Sequence, residues 1–269
     1  MRLKKVWCGL LLSTGVGLLG SATCAATMLP DRLSEEALVG VFIQNARTGE
    51  VLYEKNPHHY FRPASTFKLA TGIAALKRLG ADARFKTELR YHAQEYILSI
   101  KFSGDPTFTT ADLSNILQHF IKEHPKVALQ HIILDDTAFS GPTFVEGSCI
   151  EYHDYYFGAP IQAAMVNKNT ASLQLKGTQL NGPVTATWID EHPASSLKLT
   201  NKILLKNEDV CTDEGGLIVQ GPNTENSWTL SGCVWPELLS TPLRLALRTP
   251  RTYITDVIKN TLTTEKQAI

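Results

Sequence analysis

Arg62-Pro63-Ala64-Ser65-Thr66-Phe67-Lys68-Leu69-Ala70-Thr71-Gly72-Ile73-Ala74-Ala75-Leu76-Lys77-Arg78-Leu79 is the stretch on which the reading turns. Pro63 suits a helix start. From Phe67 to Leu79 the residues are apolar on most sides, with Lys68 the one charge before Lys77, so the pattern predicts a buried helix over 65–79. Ser65 and Lys68 stand three apart, which on a helix puts them on one face within side-chain reach. A serine at the positive end of a helix is helped toward an alkoxide, and a lysine that loses hydration can act as a base. Such a pair can form an acyl-enzyme without histidine. By itself S-x-x-K is better explained as an N-cap serine and a snorkelling lysine; its place at the start of an apolar helix, after a hairpin and a proline, shifts the reading toward chemistry.

Upstream, Val39 to Asn45 and Val51 to Lys55 read as a hairpin closed by Ala46-Arg47-Thr48-Gly49. Downstream the pattern changes to short strand-like runs: Thr87–Tyr91, Tyr96–Phe102, His131–Leu134, Ser172–Leu175, Val184–Trp188, Lys202–Leu205, Leu217–Gln220 and Trp228–Gly232. One helix, Thr110 to His124, interrupts them, capped by Thr109 or Thr110 and apolar at Leu113, Ile116, Leu117 and Phe120. Pro242 to Leu247 reads as a strand and Thr252 to Thr264 as an amphipathic helix.

The 269 residues carry 26 basic and 26 acidic side chains and are 43% apolar, which excludes wholesale disorder and a chain-wide nucleic-acid role. Residues 1–25 have the form of an export signal: Arg2, Lys4 and Lys5, an apolar Val6–Gly20 stretch, then small residues before a cut after Ala25. Its removal takes three cations and no anion and leaves a net charge of −3. Export implies an oxidising compartment, the periplasm. Cys8 and Cys24 leave with the signal, so the reading pairs Cys211 with Cys233 and leaves Cys149 unpaired; three buried thiols are the alternative. The histidines are scattered and no CxxC or HExxH spacing occurs, so no metal site and no cofactor are expected.

The segment Arg62 to Leu69 resembles the nucleophile motif of the D-alanyl-D-alanine carboxypeptidases of the penicillin-binding protein 4 type. Ser103-Gly104-Asp105-Pro106-Thr107 with Asp112-Leu113, Ile133-Leu134-Asp135-Asp136-Thr137-Ala138-Phe139, and Ala159-Pro160 through Asn167-Lys168-Asn169 are similar to further segments of that family. The resemblance implies an α/β (α+β) penicillin-recognising transpeptidase-like domain, incomplete here and interrupted by a β-rich inserted region. Residues 26–80 and 244–269 would form the partial transpeptidase-like domain and 81–243 the insertion. It also implies Ser65 as acylated nucleophile and Lys68 as proton acceptor, peptidoglycan stem peptides as substrate, and β-lactams as covalent acylating ligands. Asp135 and Asp136, at a strand end, either face the cleft to hold a cationic group of the stem peptide or form a turn-capping pair; Asp105 has a turn alternative, before Pro106.

One departure matters. The family's S-x-N and K-T-G motifs do not occur in the sequence. A missing oxyanion donor costs about 2.7–4 kcal/mol in comparable sites. The expectation is therefore weak hydrolysis or none by this chain alone. A shortened gene, a frameshift, or a second chain supplying the rest would each account for the departure. A non-catalytic peptidoglycan-binding remnant is the competing reading.

Overall fold

The computed structural model describes residues 38–144, 150–189, 195–221 and 224–264. The expected export signal, residues 1–25, and Cys149 lie outside them. The chain divides into two compact units, residues 1–82 and 83–269.

In the first unit β1 (Val41–Gln44) and β2 (Val51–Lys55) form an antiparallel hairpin. The turn is fixed locally: Asn45 Oδ1 accepts from the amides of Arg47 (3.0 Å) and Thr48 (3.1 Å), and Gly49 takes the positive φ of 76°. A 3-10 turn, Ala64–Thr66, then leads into α1 (Phe67–Leu79), which ends where the Gly80 amide bonds Leu76 O at 3.0 Å. Two expectations are corrected here. Ser65 belongs to the 3-10 turn and the α-helix starts two residues later, because Ala64 takes a left-handed φ of 42° and the Thr66 amide closes on Pro63 O at 2.9 Å. The helix is also not buried: Leu69 is 73% and Ile73 58% exposed, and none of its residues is buried. A two-stranded hairpin has too little surface to cover a helix that is apolar on most sides.

The second unit has a real core. β3 (Glu88–His92), β4 (Ile97–Lys101) and β5 (His131–Asp135) form one sheet, and α2 (Thr110–Glu123) is the crossover between the parallel strands β4 and β5. β6 (Thr170–Lys176) is the centre of a second sheet, with β7 (Thr185–Trp188) on one side and β12 (Leu243–Ala246) on the other. A third holds β8 (Lys198–Asn201), β9 (Leu204–Leu205), β10 (Leu217–Gln220) and β11 (Ser227–Val234). The short α3 (Glu208–Asp213) lies between β9 and β10, and α4 (Pro250–Thr264) follows β12.

Periodicity explains the packing. Leu98 and Ile100 of β4 and Leu173 and Leu175 of β6 alternate inward, while Leu113, Leu117, Phe120 and Ile121 of α2 join the same core as Tyr253, Ile254, Val257, Ile258 and Leu262 of α4. Ser114 and Thr261 share a hydrogen bond at 3.1 Å inside the apolar α2–α4 contact. Arg248, at the junction of β12 and α4, makes a buried ion pair with Asp154 at 2.8 Å; the Asn226 side chain accepts from the amides of Arg248 and Thr249.

The contacts of β12 and α4 include β6 and α2 of the second unit. Two further corrections concern local structure. The strand read over 202–205 is cut to Leu204–Leu205, β9, and β8 precedes it over Lys198–Asn201; the two are separated where the Ile203 amide bonds Asn201 Oδ1 at 3.1 Å. Cys211 sits on α3, a helix the sequence reading did not include, and it forms a disulfide with Cys233 of β11, Cα atoms 5.6 Å apart.

The α2 N-terminus is closed by a capping box. Asp112 N donates to Thr109 Oγ1 (3.1 Å) and Thr109 N donates to Asp112 Oδ2 (2.9 Å). Thr109→Ala is expected to lower stability by about 1 kcal/mol, read as a shift of the thermal unfolding midpoint of the second unit.

Candidate active site

Ser65 and Lys68 are brought together by local structure alone. The turn Ala64–Thr66 places the hydroxyl just ahead of α1, and Lys68 is the second residue of that helix. Lys68 Nζ donates to Ser65 Oγ at 3.2 Å. Thr66, between them, directs its hydroxyl to Pro63 O, which ties the turn to the proline that opens it. That spacing would suit transfer of the hydroxyl proton to a neutral amine. Ser65 and Lys68 are, however, both exposed. The dehydration that would make the amine a good base is not supplied by residues 38–82.

The other family-like segments form a structural node in the second unit. Gly104 has a φ of 74° and the ring of Phe139 packs so closely that a Cβ there would meet it at 2.2 Å, so this position requires glycine. The Gly104 amide bonds Ala163 O at 2.9 Å. Asp105 and Asp135 make the same turn: Asp105 Oδ1 accepts from Thr107 N at 2.8 Å and Thr107 Oγ1 at 2.7 Å, and Asp135 Oδ1 from Thr137 N at 3.0 Å and Thr137 Oγ1 at 2.6 Å. Asn167 docks on the start of α2, accepting from Thr110 N at 3.2 Å, and Asn169 donates to Pro160 O at 2.9 Å. Asn167, Lys168 and Asn169 all hold positive φ, with values of 49°, 59° and 55°. Their fit to this turn is the physical signal that spacing rules alone do not carry.

Asp135 therefore follows the turn-capping alternative, with Thr137 as its partner. An open cleft of about 480 Å³ lies beside this node, walled by residues 138–143 and 161–163 together with Asp136, and Asp135 is not among its lining residues. Asp136 is held by Arg251 at 2.6 Å. Among the described residues no group of three or more His, Cys, Asp or Glu could hold a metal ion.

The Thr137 hydroxyl and then its amide hold the Asp135 carboxyl below the ordinary carboxylate range. A depressed folded value means that this contribution is present above the unfolded carboxyl value, about 3.9, and is lost as pH falls through the folded one. Thr137→Val is expected to raise the Asp135 midpoint toward the ordinary value in a carbon-detected NMR titration.

Residues 22–268 match the D-Ala-D-Ala carboxypeptidase 3 (S13) family. The chain is 32% identical over 147 residues to the D-alanyl-D-alanine carboxypeptidase of an Actinomadura species, covering 52% of this chain and 27% of that protein. It is 25% identical over 180 residues to D-alanyl-D-alanine carboxypeptidase DacB of Haemophilus influenzae, covering 65% and 38%. The crystal structure of penicillin-binding protein 4 (DacB) from H. influenzae shares the fold, with a TM-score of 0.65 at 22% identity over 86% of this chain and 51% of that one. A second structure of that protein, complexed with a β-lactam, superposes with a TM-score of 0.59 at 20% identity, over 86% and 50%. The chain thus spans about half of the solved relative and less of the curated ones. With the profile matched from residue 22 to residue 268 and the penicillin-binding protein 4 fold incomplete in it, this chain belongs to the S13 family of D-Ala-D-Ala carboxypeptidases.

Proposed function

We propose that this chain is the nucleophile-bearing part of a serine-type D-Ala-D-Ala carboxypeptidase or endopeptidase of peptidoglycan. The observation that carries the reading is the contact of Lys68 Nζ with Ser65 Oγ at 3.2 Å in a member of this family. Ser65 Oγ attacks the carbonyl carbon of the penultimate D-Ala. Lys68 takes the hydroxyl proton and passes it to the departing amine, which is D-Ala or the diaminopimelate of a cross-link. Water then hydrolyses the ester and restores Ser65. A β-lactam follows the first step only: its ring C–N bond opens, no fragment leaves, and the ester persists.

Alone, the chain works weakly or not at all in this account. S-x-N and K-T-G are absent from the 269 residues, and the amine is in water. Phe42 and Leu52 of the hairpin and Phe67, Leu69, Ile73 and Leu76 of α1 are each close to half exposed or more. A surface of that kind calls for a protein partner. A second polypeptide bearing the two missing motifs would cover it and dehydrate Lys68 in the same step. Grouping 26–80 with 244–269 as one partial domain, and export to the periplasm by residues 1–25, belong to the same proposal.

The exposure of Lys68 favours a second reading, a non-catalytic peptidoglycan-binding remnant. Labelling separates the two. A fluorescent penicillin is expected to attach slowly to the wild-type chain at Ser65 and not to Ser65→Ala. Lys68→Ala is expected to slow attachment by about a hundredfold or more, the usual contribution of a general base. Stem-peptide binding with no label on the wild-type chain would establish the remnant instead.

A further inference from the structure

The outer face of the β12–β6–β7 sheet carries a cleft of about 630 Å³ that the Ser65–Lys68 chemistry does not use. Arg244 of β12 stands opposite Ser172 of β6 in the strand register. Both lie on the side of the sheet away from Leu173, Leu175 and Leu245, which are buried. The Arg244 guanidinium is stacked over the ring of Tyr156, 4.2 Å from its centroid. Among the described residues it makes no ion pair. The lining contains one cation and no anion; Ile189 and Pro242 supply apolar wall, and Ser172 and Thr241 supply hydroxyls.

Stacking fixes the plane of a guanidinium and leaves its N–H edge free. A fixed fork of parallel donors matches a carboxylate, which it binds through two hydrogen bonds. Here the fork is held on a sheet face, over a concave, partly apolar floor, with no acid among the described residues to occupy it. We propose that this cleft is an accessory site for a carboxylate-bearing stem peptide, the carboxylate on Arg244 and the peptide body against Tyr156, Ile189 and Pro242. The identity of the ligand rests on the peptidoglycan reading above; the preference for a carboxylate rests on the cleft alone. A site of this kind would hold a neighbouring strand of the polymer while another is at Ser65, without sharing a residue with the nucleophile.

The test uses the whole chain and isothermal titration with the tripeptide L-Ala-γ-D-Glu-L-Lys, with the same peptide fully amidated, and with inorganic phosphate. The free acid is expected to bind at least about tenfold more tightly than the amide, the size of one charge-assisted pair. Arg244→Ala should abolish that difference. Arg244→Lys should restore it only in part, since an ammonium is a point charge without the fork. Thermal melts check that these exposed-side variants fold. Equal binding of acid and amide, acid binding that survives Arg244→Ala, or phosphate competing as well as the peptide would each overturn the proposal. Penicillin labelling in the same samples keeps the two readings apart: Arg244→Ala should label like wild type, and Ser65→Ala should keep its preference for the acid. A chain that shows the preference but never labels would retire the peptidase reading and leave the site standing.

Discussion

The peptidase reading of this chain depends on a lysine amine reaching a serine hydroxyl across one helical turn. The reach is local. Pro63 opens the turn, Ala64 takes a left-handed conformation, and the helix that begins at Phe67 carries Lys68 back over Ser65. No distant residue is needed for that contact, so it survives in a chain that spans about half of its solved relative. Reactivity is a different matter. An amine becomes an effective base when water is withdrawn from it, and withdrawal requires a covering surface. Position is written into residues 62–68, whereas hydration is set by whatever packs on the helix.

The second unit shows the opposite balance. Its strands and its two long helices bury one continuous apolar core. The Asp-x-Thr turn is used twice, at Asp105 and at Asp135, each time with the carboxylate held by the amide and hydroxyl of the threonine two residues on. Gly104 under Phe139, and Asn167 on the start of α2, join segments far apart in sequence. These are the segments through which the chain resembles its family. Here their visible work is to hold a fold together.

Much of this was legible in the residues. The hairpin, the helix Thr110–Glu123 with its Thr109 cap and the final helix follow from periodicity and capping chemistry, and the family follows from the motifs. What misled was tertiary. A helix apolar on most sides reads as buried, but the pattern says only that it needs cover, not that the cover is present. Asp135 carried two readings because a carboxylate at a strand end serves a cleft or a turn equally well; Thr137 two residues later was the available signal. α3 was missed because six residues are too few for a helical period to declare itself, although Glu208 and Asp209 sit where a first turn favours acids. The accessory cleft could not be read at all, since Arg244 and Tyr156 meet only after the sheet has formed.

The most direct measurement of the central claim is the accessibility of the amine that touches Ser65. Residue-resolved footprinting with an amine-acylating reagent, applied to the native chain, compares Lys68 with Lys77 on the same helix. The account predicts that both are modified at similar rates, with Lys68 placed beside the hydroxyl but still in water. Strong protection of Lys68 while Lys77 reacts freely would contradict it, and would mean that the chain covers its own site.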